Sequence, residues 1–168
     1  IVSIGGGSVM DTAKAANLLS CHGGEILDYV NAPIGLAKKV PGPLLPHIAC
    51  PTTAGTGAET TGIVVLDIEE VGLKSGISSP NLKPNHAIVD PETTLTLPSG
   101  VIASTGFDVL THAVESYVAR PYTSSDRPLD PSLRMGYQGA TPYNDIGALA
   151  AIRIGGKYLL RAVQNDQD

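Results

Sequence analysis

The spacing of apolar and polar positions divides the chain near Pro98 into two parts of different character. In the first part, short apolar runs end in glycine, proline or threonine. Residues 1–4 run into Gly5-Gly6-Gly7, and residues 8–19 carry apolar side chains at helical spacing with Ser8 placed as N-cap, which predicts strand, turn and helix. A connection punctuated by glycine and proline (23–46) leads to a second buried strand at 47–50, which runs into Pro51 and a Thr/Gly-rich loop. Residues 63–66 and 76–78 read as strands joined through the acidic turn at 69–72, and 86–89 is a further apolar run closed by Asp90-Pro91. Beyond Pro98 the apolar residues fall at helical intervals over 101–118 and 145–163, on either side of a Pro/Ser/Asp/Arg-rich loop (120–144). No internal repeat is visible.

Composition narrows this picture. A hydrophobic content of 42% with 16% charged residues is that of a globular protein with a core. The apolar residues are mostly Ala, Val, Ile and Leu, with Phe107 the one phenylalanine and no tryptophan, which suits the layers of an α/β protein. A net charge of -5 without a Lys/Arg cluster argues against a nucleic-acid partner and for a small molecule. Cys21 and Cys50 lack the spacing of a zinc knuckle and are too few for a disulfide framework, so reduced thiols and an intracellular location are expected. No apolar run reaches the roughly eighteen residues of a membrane span, and no leader is visible. Ile1-Val2-Ser3-Ile4 reads as the end of a buried strand, so both ends are expected to be cut and a transit peptide upstream would lie out of view.

Two loops carry candidate chemistry. Gly5-Gly6-Gly7-Ser8 stands where a strand meets a helix; glycine there lets a ligand approach the backbone, and the helix N-terminus offers free amides to a pyrophosphate. It is not the G-x-G-x-x-G pattern, and a tight connection is the competing reading. Asp11 and Lys14 follow on the helix. Asp11 can serve the N-terminus electrostatically or accept a hydrogen bond from a loop or cofactor, and it is assigned a supporting role. The second loop, PTTAGTGAETT, offers five threonine hydroxyls and turning glycines, which suit phosphate, ribose and carboxamide groups along a crevice at strand ends. Two such loops in one domain favour a shared ligand over two structural turns. In the helical part Asp108 and His112 are four apart, so they project from one face; a surface pair is the ordinary reading and a grip on Fe(II) or Zn(II) the functional one.

GGGSVMDTAKA, PTTAGTGAETT, GLKSGISSPNLKP followed by AIVDP, and GFDVLTHAVESY resemble, in order, the successive motifs of the iron-containing (group III) alcohol dehydrogenases. MDTAKAANL, LDYVNAPIG, ETTG, GYQGATPYNDI and RIGGKYLLRAV are similar to the hydroxyacid-oxoacid transhydrogenase subgroup. The resemblance implies a Rossmann-like α/β dinucleotide-binding domain (1–98, its N-terminal part missing), then the beginning of an all-helical domain (99–168, its C-terminal part missing), with a divalent metal in the cleft between them. It implies NAD or NADP as cofactor, with Gly6, Gly7 and Ser8 at the pyrophosphate, Thr52, Thr53, Thr56 and Thr61 along the nicotinamide half, and Lys74 at the nicotinamide ribose. It makes Asp108 and His112 metal ligands, for Fe(II) or alternatively Zn(II), and places two further histidine ligands downstream of Asp168. His22, His47 and His86 are read as structural, and this chain alone is expected to be inactive. The implied reaction is hydride transfer between an alcohol or hydroxyacid and the nicotinamide, or onward to a 2-oxoacid, in a homo-oligomer that is mitochondrial for a eukaryotic transhydrogenase and cytoplasmic otherwise. An oxoacid carboxylate would need a cation, and Arg120, Arg127 and Arg134 follow the metal helix. A glycerol-type or other polyol dehydrogenase, and a nucleotide-binding or subunit-association module without turnover, remain as alternatives.

Overall fold

Alternating small and branched residues make β1 (Val2–Gly5) an extended segment, and three glycines end it. The computed structural model describes residues 1–124, 126–131 and 137–164, which fall into two units, Ile1–Thr96 and Leu97–Asp168.

In the first unit, α1 (Gly7–His22) follows the glycine turn, and a four-residue helix, α2 (Ile26–Tyr29), follows α1. The chain then enters β2 (Ile48–Pro51), parallel to β1, and later β5 (His86–Ala87), parallel to β2, giving the sheet order β1-β2-β5. Between them, β3 (Ile63–Ile68) and β4 (Leu73–Ser78) form a separate antiparallel hairpin, turned through Gly72 in the left-handed region at φ +61°. The apolar underside of α1 (Ala15, Leu18) packs on Tyr29 and Val30, on the inward residues of the hairpin (Val64, Ile77) and on Leu82. A smaller cluster of Met10, Ala49 and Ala58 lies directly behind the glycine turn.

Two expectations change here. β1 is buried on one face alone: Ser3 and Gly5 are covered, while Val2 and Ile4 are exposed, because α1 packs against a single side of the sheet. The helix begins at Gly6 as N-cap, in extended conformation, and Ser8 lies inside the first turn; the side chain of Thr53 stands where a larger cap residue would project. His22 ends α1, its Nε2 3.3 Å from the carbonyl of Gly42.

The second unit is built on α3 (Ser99–Val118) and α4 (Pro142–Gln164). Two glycines set their approach. A Cβ on Gly106 would collide with Leu159, and one on Gly155 would collide with Leu110, so each helix receives a leucine of the other against bare backbone, in an antiparallel register. Ala113 and Ala148 are the buried apolar residues of these helices among the described positions, and Phe107, Val114, Ile146 and Ile154 remain exposed, because a pair of helices buries one seam and no more.

Candidate functional site

The two loops singled out above begin side by side. Gly5 and Pro51 are register partners at the carboxyl ends of β1 and β2, and the amide of Thr52 donates to the carbonyl of Gly5 at 3.0 Å. Parallel strands ending together open a crevice at their carboxyl edge, with the first amides of α1 directed toward it. The amides of Val9 and Met10 close on the carbonyl of Gly6 at 3.1 and 3.2 Å, so those of Gly7 and Ser8 are the ones without an intrahelical acceptor.

The threonine loop leans against this turn. A Cβ on Gly6 would stand 3.0 Å from Thr53 Oγ1; one on Gly7 would stand 2.8 Å from Thr56 Cγ2 and 2.9 Å from Thr56 Oγ1. Glycine at both positions is therefore what lets the loop close on the helix start. Gly55 (φ +107°) and Gly57 (φ +62°) supply the left-handed turns, after which Ala58–Thr60 forms a 3-10 turn whose first amide donates to Thr56 Oγ1 at 3.2 Å. From the segment after β5, Thr93 Oγ1 donates to the carbonyl of Pro51 at 2.9 Å and props the start of the loop. Thr52, Thr53 and Thr61 are half-buried, and Ser8 and Thr56 are exposed.

Asp11 and Lys14 lie behind this surface. Asp11 is 8% exposed and Lys14 has no exposure, with Lys14 Nζ 3.2 Å from Asp11 Oδ1. Lys14 also donates to Thr61 Oγ1 at 3.3 Å and to the carbonyl of Ile63 at 2.8 Å, while Asp11 Oδ2 accepts the amide of Val65 at 2.9 Å. Both carboxylate oxygens of Asp11 thus bond within the protein. Burial lowers the pKa of Lys14, and the Asp11 carboxylate opposes that shift. Lys74 lies elsewhere, on the outer face of β4, exposed and paired with Asp67 across the hairpin at 3.3 Å. His47 is buried with Nε2 2.8 Å from Ser3 Oγ; burial lowers its pKa, and the positive charge of Lys14 lowers it further.

On α3, Asp108 and His112 share a face, with His112 Nε2 3.9 Å from Asp108 Oδ1 and side chains 39% and 51% exposed. A carboxylate and an imidazole at this separation fit two ligands of one first-row divalent ion. Among the described residues no third His, Cys, Asp or Glu joins them. An open cavity of about 500 Å³ adjoins His112, lined also by Glu115, Ser116, Val118 and Tyr137. Arg120 directly follows the helix, Arg127 lies in the described part of the next loop, and Arg134 lies outside the described residues. Sequence reading had no signal for Lys14 as an internal anchor, because lysine is by default a surface residue. Nor did it mark Thr93, whose Asp-Pro-Glu-Thr setting reads as a simple turn.

The family model for iron-containing alcohol dehydrogenase matches residues 1–91. The chain belongs to this family. Among curated relatives, it is 54% identical over 169 residues to "Hydroxyacid-oxoacid transhydrogenase, mitochondrial" of Rattus norvegicus, covering 99% of this chain and 36% of that protein. It therefore spans little more than a third of the curated relatives' length. Superposition on the iron-containing alcohol dehydrogenase of Thermococcus thioreducens gives a TM-score of 0.80 at 30% identity, covering 98% of this chain and 39% of that one. The sulfoacetaldehyde reductase of Bifidobacterium kashiwanohense, solved in complex with NAD+, gives 0.74 at 37% identity, covering 97% and 38%. The family's architecture, a Rossmann-like α/β region followed by a helical region, is that of this chain.

Proposed function

We propose that the chain is the central segment of a metal-dependent oxidoreductase that moves hydride between an alcohol or hydroxyacid and a nicotinamide cofactor, of the hydroxyacid-oxoacid transhydrogenase type. Residues 1–98 are its dinucleotide-binding part and 99–168 the beginning of its metal-binding helical part. One observation carries the reading: the glycine turn and the threonine loop leave paired ends of adjacent parallel strands, Gly5 beside Pro51, and touch through Gly6–Thr53 and Gly7–Thr56. The rat relative's name and the NAD+ complex of the reductase support the chemistry.

In this reading the free amides of Gly7 and Ser8, with the close approach allowed at Gly6, hold the pyrophosphate of NAD or NADP. Thr52, Thr53, Thr56 and Thr61 offer hydroxyls along the nicotinamide half, and Lys74 exchanges Asp67 for the nicotinamide ribose. Asp11, its oxygens already engaged, supports the loop rather than touching the cofactor. Asp108 and His112 hold the ion, Fe(II) or Zn(II), with further ligands from the remainder of the full-length protein; two ligands alone leave an ion mostly hydrated and weakly held. When bound, the metal supplies Lewis acidity toward the alcohol oxygen and the nicotinamide supplies the hydride acceptor. The contribution of these residues is placement, worth on the order of 7 kcal/mol of barrier when donor and acceptor are well held. Arg120 and Arg127 are available to an oxoacid carboxylate. For a eukaryotic source the compartment is the mitochondrion, and otherwise the cytoplasm.

The test uses the metal-loaded full-length protein, a hydroxyacid deuterated at the carbinol carbon, and a 2-oxoacid, without added nucleotide. Deuterium in the product of the oxoacid is expected, carried by retained cofactor. Absence of transfer both without and with added NAD overturns the reading. Transfer to free NAD from glycerol alone favours a polyol dehydrogenase instead.

A further inference from the structure

Lys14 has three ammonium hydrogens and three acceptors, Asp11 Oδ1, Thr61 Oγ1 and the carbonyl of Ile63, and it is wholly buried. Stability alone does not call for a charge in this place. Apolar side chains in place of both Lys14 and Asp11 would fill such a volume without the cost of desolvating two charges, and buried ion pairs are often replaced in this way at no loss. What an apolar side chain cannot do is fix three partners from three chain segments at once. Lys14 and Asp11 lie on the helix that starts at the glycine turn, whereas Thr61 ends the threonine loop and Ile63 and Val65 belong to β3. The loop is thus fastened at two places by different means. Its middle rests on Gly6 and Gly7 through Thr53 and Thr56, and its exit is tied to the same helix by the ammonium.

We propose that Lys14, held by Asp11, is a positioning residue for the nicotinamide half of the dinucleotide site, setting Thr61 and the loop exit relative to the pyrophosphate-binding turn. The inference rests on the dinucleotide reading above. Its signature is asymmetric. Loss of the ammonium frees the loop exit while the glycine turn keeps its contacts with Thr53 and Thr56, so a ligand that carries the nicotinamide is weakened and one that lacks it is not.

NADH and ADP-ribose, which lacks the nicotinamide, are titrated calorimetrically into the full-length protein and its Lys14→Met variant, with circular dichroism as the check on folding. The variant is expected to bind NADH about tenfold more weakly, the loss of one well-placed hydrogen bond, with ADP-ribose affinity within about twofold of wild type. Equal weakening of both ligands, weakening of ADP-ribose alone, or no change in either overturns the positioning role while leaving the dinucleotide site in place. Failure of the wild-type protein to bind either ligand overturns the site itself. Should Lys14→Met not fold, Asp11→Asn carries the same comparison, since it keeps an oxygen for the Val65 amide and removes the countercharge that holds Lys14.

Discussion

Replacing Gly7 by alanine adds one methyl group at the point where the threonine loop meets the helix start. That methyl would lie 2.8 Å from Thr56 Cγ2, 2.9 Å from Thr56 Oγ1 and 3.2 Å from Thr56 Cβ, so no rotation of the threonine clears it. Carbon atoms rest at about 3.5–4.0 Å, which requires the loop to retreat by roughly 0.7–1.2 Å. Overpacking of this size costs about 1–3 kcal/mol. If the loop returns to its place when NADH binds, that strain appears as affinity loss, about 5- to 150-fold at 1.4 kcal/mol per decade. The assay is NADH titration of the full-length protein, with urea unfolding measured on the same samples. Thr56→Ala removes both the methyl and the hydroxyl, leaving only Cβ in the way, so the double variant Gly7→Ala/Thr56→Ala is expected to lose less than the sum of the singles. A coupling of about 1 kcal/mol or more is the expected sign of contact. Additive effects, or an alanine at position 7 that binds NADH like wild type, would refute the contact between turn and loop as the basis of the site.

Asp108→Ala and His112→Ala each should lower bound iron or zinc at least about tenfold by elemental analysis, with the helical circular dichroism retained because both side chains are partly exposed. His47 carries a pH prediction: burial holds its folded-state pKa below the unfolded value of about 6.5, so the unfolded chain takes up the proton more readily. Its share of stability is then full above about pH 6.5 and is lost as pH falls toward the folded value, and His47→Gln should flatten urea midpoints between about pH 7.5 and 5; an unchanged slope would contradict it. Gly106→Ala should destabilise the full-length protein by about 1–3 kcal/mol, and Leu159→Ala in the same chain should recover part of that loss, read by thermal unfolding.

Much of the fold is legible because glycine and proline punctuate it. The run into Gly5-Gly6-Gly7 and the run into Pro51 mark two strand ends without reference to tertiary structure, and both are found there. The partnership of the strands is not legible. Alternation along 63–66 and 76–78 identifies strands, but whether they join the parallel sheet or stand apart as a hairpin depends on what α1 covers. Capping rules favoured Ser8 on side-chain chemistry; Gly6 holds the cap because Thr53, distant in sequence, takes the space beside it. The same remoteness hides Lys14, whose partners lie 47 and 49 residues away. Asp108 and His112 are the opposite case, since a separation of four on a helix fixes a shared face from local geometry alone.

The reciprocal leucine-into-glycine seats between α3 and α4 bracket Asp108 at positions 106 and 110. A helix wedged at two points a turn apart can neither slide along its neighbour nor roll on it without driving a branched side chain into main chain. The carboxylate therefore rides on a stiff mount, and in the proposed metal-binding role its azimuth is set in advance of the ion. Selectivity among divalent ions would then depend on how well each accepts a fixed bearing, and substitutions at 106 and 159, or at 110 and 155, should be tolerated only as matched pairs.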